Sequence, residues 1–281
     1  MKAAIKLSLL IVVLTTGAHA ADDMKLEANA EWHLNFTDLP ETLASLANQE
    51  KRPAQLTVWL PANYVRERKF PLFLILDGYD GGFGDRLPLR PGTVGSNDFI
   101  YVNLPLFRST YAGTDDSLIV NMGDYDVMSN AYRIVLQELF NIVPNITPEQ
   151  SALGGFSNGA RALGVLLARR DPFILQHFRS FYLVEGGFGS LAACVVMPGV
   201  DTALKQSRIL LMYGDKPMPD DDPVRIVNDH LARACALNAK HFHFDLTSVV
   251  MQGYGHELPT EYEQVLKAWI RDEKLLEAQQ K

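Results

Sequence analysis

Gly155-Phe156-Ser157-Asn158-Gly159 sets a serine between two glycines at the G-x-S-x-G spacing. A serine hydroxyl is a poor nucleophile unless a neighbouring base takes its proton, and histidine is the side chain tuned for that near neutral pH. Six histidines follow residue 20. His33 lies in the N-terminal region, His177 and His230 fall on helical stretches, and His241 and His243 read as the opening of a strand. His256 differs from these. It sits in Gly253-Tyr254-Gly255-His256-Glu257, a glycine-rich loop after the last strand and before the last helix. A base placed there reaches a serine at the end of a central strand, so Ser157 and His256 are the candidate nucleophile and base.

A third group must orient the imidazole and stabilise its protonated form; the expected place is a carboxylate on the loop after the penultimate strand. That loop offers Asp215, Asp220, Asp221 and Asp222. Asp215 follows Gly214 directly and serves equally well to close the strand. Asp222 precedes Pro223, and aspartate before a proline at the first helical position is a helix start. Asp220 is left on the loop with suitable reach and is taken as the candidate acid, the four staying open as alternatives. Developing negative charge on an acyl oxygen needs donors. The backbone N–H of Asn158, at the start of the helix after the serine, is one. The loop after an earlier buried strand, at Gly78-Tyr79, presents the other, the amide of Tyr79.

These residues need a frame. Ala152-Leu153-Gly154 is a short small and apolar run, and Ala160 to Arg170 has helical periodicity, so the serine stands at a strand-to-helix turn. Pro71 to Leu76 is a continuous apolar run ended by Asp77-Gly78, the pattern of a strand buried on both faces. Leu56 to Pro61, Phe99 to Val102, Phe181 to Val184, Ser207 to Tyr213 and His243 to Val250 also read as strands. Helical patterns occupy Asn130 to Phe140, Val224 to Ala236 and Glu261 to Glu273. Alternating strands and helices imply an α/β domain with a mostly parallel central sheet covered by helices on both faces. Ligands of such sheets bind beyond the carboxyl ends of the strands, which is where Ser157, Gly78, Asp215–Asp222 and His256 fall.

The chain opens with basic Met1-Lys2-Ala3-Ala4-Ile5-Lys6, runs apolar from Leu7 to Thr15, and reaches Ala18-His19-Ala20. This is the pattern of a secretory signal peptide over residues 1–20, with a single domain over 21–281 destined for a bacterial periplasm or the exterior. No membrane segment is expected once the signal is removed. Without Lys2 and Lys6 the remaining chain carries 24 basic and 33 acidic residues, a net charge of −9. There is no basic stripe for a phosphate backbone, which argues against nucleic acid as a partner. Cys194 and Cys235 would meet an oxidising compartment, and sequence leaves their pairing open. His241-x-His243 has no third ligand at suitable spacing, so neither metal nor other cofactor is expected. Arg90, Phe107, Arg108, Tyr111 and Tyr125, between Leu87 and Asn130, are candidates for a pocket wall or lid. The stretch Gly187 to Val200 reads as a second specificity insert.

Val58-Trp59-Leu60-Pro61-Ala62-Asn63-Tyr64, Lys69-Phe70-Pro71-Leu72 and Leu76-Asp77-Gly78 resemble the opening of one esterase family. That family includes esterase D, enterochelin esterases, feruloyl esterases and the mycolyltransferase antigens. Leu136-Gln137-Glu138-Leu139, the Ser157 motif and Gly255-His256 continue the likeness, which runs from about Leu56 to the C-terminus. The resemblance implies an α/β-hydrolase fold and hydrolysis of a small-molecule carboxylic ester through an acyl-enzyme. It places the nucleophile on Ser157, the base on His256 and the oxyanion amides on Asn158 and Tyr79. The Lys216-Pro217-Met218-Pro219 stretch departs from the family pattern just before the acids. Acyl transfer to another hydroxyl, or a binding protein on a hydrolase scaffold, are the alternatives to ester hydrolysis.

Overall fold

The computed structural model describes residues 27–36, 39, 53–78, 89, 92–109, 120–194, 204–216, 223–242 and 245–273. In chain order these form β1 (Glu31–Phe36), β2 (Ala54–Trp59), β3 (Leu72–Leu76), β4 (Ile100–Leu104), α1 (Tyr125–Ile142), β5 (Ala152–Phe156) and α2 (Asn158–Ala168). There follow α3 (Pro172–His177), β6 (Ser180–Val184), α4 (Phe188–Cys194), β7 (Arg208–Gly214), α5 (Pro223–Phe242), β8 (Asp245–Met251) and α6 (Thr260–Ile270). One eight-stranded sheet has the order β1-β2-β4-β3-β5-β6-β7-β8. β1 and β2 run antiparallel at one edge, and every pairing from β4 to β8 is parallel.

The long apolar runs become the strands with both faces covered. β3, β4 and β6 are buried at every position. Along β3, Leu72, Leu74 and Leu76 join the core under α1, α2, α4 and α5, while Phe73 and Ile75 join a second core closed by Val265, Leu266 and Trp269 of α6. The pleat sends alternate side chains to opposite sides, so a continuous apolar run is what a helix on each side requires. The expected α/β architecture is therefore the one observed.

Three elements were not read from the sequence. β1 alternates Trp32, Leu34 and Phe36 inward with Glu31, His33 and Asn35, a half-buried edge strand. α3 is short, and its start is set by Asp171, whose carboxylate accepts from the Ile174 amide at 2.9 Å with Pro172 at the first position. α4 follows a pair of glycines. One reading is corrected: His241 belongs to the last turn of α5, not to a strand, and the described strand β8 is Asp245–Met251. Ala236, Leu237, Ala239 and Lys240 are good helix formers, and a basic last turn with Lys240 and His241 complements the helix dipole, so the helix continues past the point where H-F-H-F alternation suggests a strand. His243 lies outside the described residues, as do residues 1–20, read above as a signal peptide.

Two phenols tie the layers together. Tyr182 of β6 crosses Gly154 of β5 to stack on Phe73 of β3 at 5.3 Å, and its hydroxyl donates to the Leu74 carbonyl at 2.8 Å. Tyr132 of α1 accepts from the Phe107 amide at 2.9 Å and donates to the Pro105 carbonyl at 3.1 Å. Burial raises both hydroxyls well above the ordinary phenol range. A proton held more tightly in the folded state stabilises the fold fully below the unfolded pKa of 10.0 and progressively less as pH rises past it. The melting temperature should therefore fall steeply above about pH 10. Tyr182→Phe should lose about 1 kcal/mol at neutral pH, from the missing hydrogen bond, yet show a shallower alkaline fall; an unchanged slope in a pH series of thermal melts would count against this linkage.

Candidate functional site

Ser157 stands where β5 passes without a loop into α2, with φ 52° and ψ −114°. A side chain at positive φ is strained, and such strain persists only when the surroundings over-determine it. They do so here. The Ser157 amide donates to the Val184 carbonyl at the end of β6 (2.9 Å), and its carbonyl accepts from Arg161 of α2 (3.0 Å). The flanking glycines are steric necessities. A Cβ on Gly159 would lie 2.0 Å from the Leu76 carbonyl oxygen of β3, and one on Gly155 would lie 2.3 Å from the carbonyl carbon of Gly159. The motif's spacing thus records how closely helix and strand ends must approach around the serine.

His256 lies on the loop between β8 and α6, and its Nε2 is 2.8 Å from Ser157 Oγ. With Nε2 accepting from the hydroxyl, the ring proton sits on Nδ1. That nitrogen faces Glu185 Oε2 at 3.5 Å. Glu185 follows β6 directly, also at positive φ (56°), with its amide donating to Met212 of β7 at 2.9 Å. Its side chain is 1% exposed while that of His256 is 33% exposed, so the carboxylate is sequestered behind a ring that reaches solvent. The other carboxylate oxygen, Oε1, accepts from the Gly214 amide at 2.5 Å, which satisfies a buried charge. The Phe156 ring lies 5.1 Å from the imidazole, tilted by 43°.

The structure therefore brings Ser157 and His256 together and places Glu185 on the far nitrogen. Sequence reading sought the carboxylate one strand later. Asp220, with Asp221 and Asp222, lies outside the described residues, as does Tyr79. Asp215 is described, and its Oδ1 accepts from the Gly253 amide at 2.6 Å. A signal for Glu185 did exist: it is the first residue after the largely apolar run Phe181-Tyr182-Leu183-Val184, followed by Gly186-Gly187. Nothing local distinguished it from a strand-ending turn.

Of the proposed donors, the Asn158 amide is the first of α2 and has no acceptor within the helix. Gly78, the last described residue before Tyr79, abuts the serine: a Cβ built there would lie 3.4 Å from Ser157 Cβ and 2.8 Å from the Phe156 ring. The suggested pocket wall is in part framework. Phe107 is fully buried, and Tyr125 packs beneath the Arg169 guanidinium at 5.6 Å. Arg90 and Tyr111 lie outside the described residues. The expected insert from Gly187 begins as α4, which packs on α2 and α5, and the Cys235 thiol on α5 donates to the Phe188 carbonyl at 3.4 Å. Among the described residues no helix is long and apolar enough to cross a membrane.

No protein-family model matches the sequence, and no curated protein matches it. Solved structures do match. A CE1 ferulic acid esterase from Anaeromyces mucronatus is 15% identical at a TM-score of 0.51, with 89% of this chain and 92% of that one covered. Dipeptidyl peptidase 4 of Porphyromonas gingivalis is 13% identical at a TM-score of 0.54, over 82% of this chain and 35% of its own length. A thermostable esterase is 14% identical at 0.51, over 80% and 61%. This chain thus spans about a third of the peptidase and under two thirds of the thermostable esterase. At these identities the likeness is one of fold, and the fold is that of the α/β-hydrolases.

The close approach at the serine turn makes a direct test. Gly159→Ala forces a methyl group into the Leu76 backbone, and overpacking of this kind costs about 3 kcal/mol or more where backbone must yield. Urea unfolding should show a lower midpoint at unchanged slope; a midpoint equal to the parent's would show that the turn is looser than its geometry states.

Proposed function

We propose that this chain is an exported serine hydrolase that cleaves a carboxylic ester through an acyl-enzyme. The observation that carries the reading is the 2.8 Å contact between Ser157 Oγ and His256 Nε2, made by a serine held at positive φ at the head of α2. A strained turn that lifts one hydroxyl onto one imidazole is costly for a protein that does not use it.

In this reading Ser157 Oγ attacks the acyl carbon while Nε2 of His256 takes its proton. The carbonyl π electrons move onto oxygen, where the Asn158 amide, together with that of Tyr79, donates to the oxyanion. The intermediate collapses, the C–O bond to the alcohol breaks, and the imidazolium returns its proton to the leaving oxygen. Water then attacks the acyl-serine with His256 again as base; the acyl bond to Ser157 Oγ breaks, the imidazolium returns its proton to Oγ, and the acid is released. Glu185 holds the Nδ1 proton and offsets the charge of the imidazolium throughout, the role sequence reading gave to Asp220. Nothing in these steps calls on a metal or organic cofactor. The choice of an ester over a peptide bond rests on the resemblance of the sequence to esterases; the fold is shared with peptidases.

Ser157→Ala should lower kcat/KM for p-nitrophenyl acetate by at least ~10³-fold, because members of such a set act as a unit. The variant should also escape labelling by a fluorophosphonate probe; parental hydrolysis by the purified variant would sink the assignment. Export is proposed on the charged, apolar and small-residue order of residues 1–20. N-terminal sequencing of protein recovered from a periplasmic fraction should begin at Ala21, and material that remains in the cytosol starting at Met1 would refute it.

A further inference from the structure

The end of β7 does more than close a strand. Gly214 donates its amide to Glu185 Oε1 at 2.5 Å, and its Cα faces the loop that carries the base. A Cβ there would lie 2.2 Å from the Tyr254 carbonyl oxygen and 2.7 Å from that of Gly255. The next residue, Asp215, donates its amide to Met251 at 3.4 Å, and the one after, Lys216, donates to the Tyr254 carbonyl at 2.9 Å. Asp215 Oδ1 accepts from the Gly253 amide at 2.6 Å. Three consecutive residues of β7 and its exit thus hold the five residues that lead to His256.

We infer that Asp215 is a positioning residue for His256, acting through the backbone of Gly253, and that orientation of the base is divided between two carboxylates. Glu185 addresses the ring, and Asp215 addresses the loop. The inference rests on the reading of Ser157 and His256 given above. Three observations favour it. The Asp215 carboxylate bonds the loop backbone, whereas the carboxylate on Nδ1 belongs to Glu185. Gly253 adopts φ 78°, and both Gln252 and Gly253 are exposed, so little packing secures this turn. On the other side of the turn, Tyr262 accepts from the Gln252 amide at 2.8 Å and packs edge-on against Tyr254 at 5.8 Å. The Tyr254 hydroxyl donates to Glu261, a bond that pushes the phenol up and the carboxyl down. The loop is therefore pinned at Gln252, at Gly253 and at Tyr254. Gly253 is the pin at which a carboxylate oxygen accepts from the backbone of the loop itself. A small displacement of a catalytic base costs rate, because reaction requires near-contact geometry.

The test compares the parent with Asp215→Ala, Asp215→Asn and Glu185→Gln. Asp215→Ala should lower kcat on p-nitrophenyl acetate about tenfold with KM within about twofold, the pattern of lost orientation rather than lost binding. Asp215→Asn still presents Oδ1 to the Gly253 amide and should return to within about threefold of the parent. The low-field NMR resonance of the His256 Nδ1 proton should persist in both Asp215 variants and vanish in Glu185→Gln. Hydrogen exchange at the Gly253 amide should accelerate in Asp215→Ala alone. The inference is overturned if Asp215→Asn is as impaired as Asp215→Ala, since charge and not acceptance would then matter. Loss of the low-field resonance in either Asp215 variant, or parental kcat and Gly253 exchange in Asp215→Ala, would overturn it equally. A parent that neither turns over esters nor labels with a fluorophosphonate defeats the hydrolase reading instead, and Gly253 exchange still reports on the contact.

Discussion

The turn at Ser157 is the constraint from which the site follows. A residue with a side chain is held at positive φ because β5 hands directly to α2 and because β3 and β6 close around the junction. Every feature that makes the hydroxyl available is a by-product of that closeness. The glycines on either side remove Cβ atoms that would meet backbone, the Val184 carbonyl fixes the amide of the serine, and the helix begins with an amide that has no acceptor within the helix. Relaxing the turn would relieve the strain at the expense of all three.

Around that turn, adjacency of parallel strands does the assembly. β5, β6, β7 and β8 are neighbours in that order, so their exits line one edge of the sheet. Ser157 leaves β5, Glu185 leaves β6, Asp215 leaves β7, and His256 follows β8. The imidazole comes from the far end of this row and bends back over the two intervening exits to reach the serine. A loop that crosses two strand ends can be held by both, which explains why one carboxylate meets the ring and another meets the loop backbone. Gly214 lies at the crossing, touching both the acid and the loop.

Much of this was legible beforehand. Continuous apolar runs became doubly covered strands, and the serine motif carried its own strand, turn and helix. What escaped shows where local pattern stops. β1 was overlooked although Trp32, Leu34 and Phe36 alternate cleanly, because three apolar residues at an edge make a weak period-2 signal. His241 was misplaced because histidine and phenylalanine alternate just where a helix happens to end. Asp171-Pro172 is a helix start by its own chemistry, yet α3 is too short for periodicity to show. Glu185 was missed for another reason: a glutamate at a strand end is common, and its partner lies 71 positions further along the chain, at His256.

Sequence by itself singled out Ser157 and His256, which the structure brings into contact, and determined the layered architecture that carries them. Those are properties of single segments: a strained turn needs glycines at fixed spacing, and a sheet covered on both faces needs unbroken apolar strands. Which carboxylate meets the imidazole was decided by the tertiary structure. That choice depends on strand order and on how far each exit stands from the base, neither of which is written in any one segment. In one dimension Asp220 stood out among the four aspartates after β7 only by local position, and in three dimensions the exit of β6 puts the buried Glu185 on the ring and leaves Asp215 on the loop.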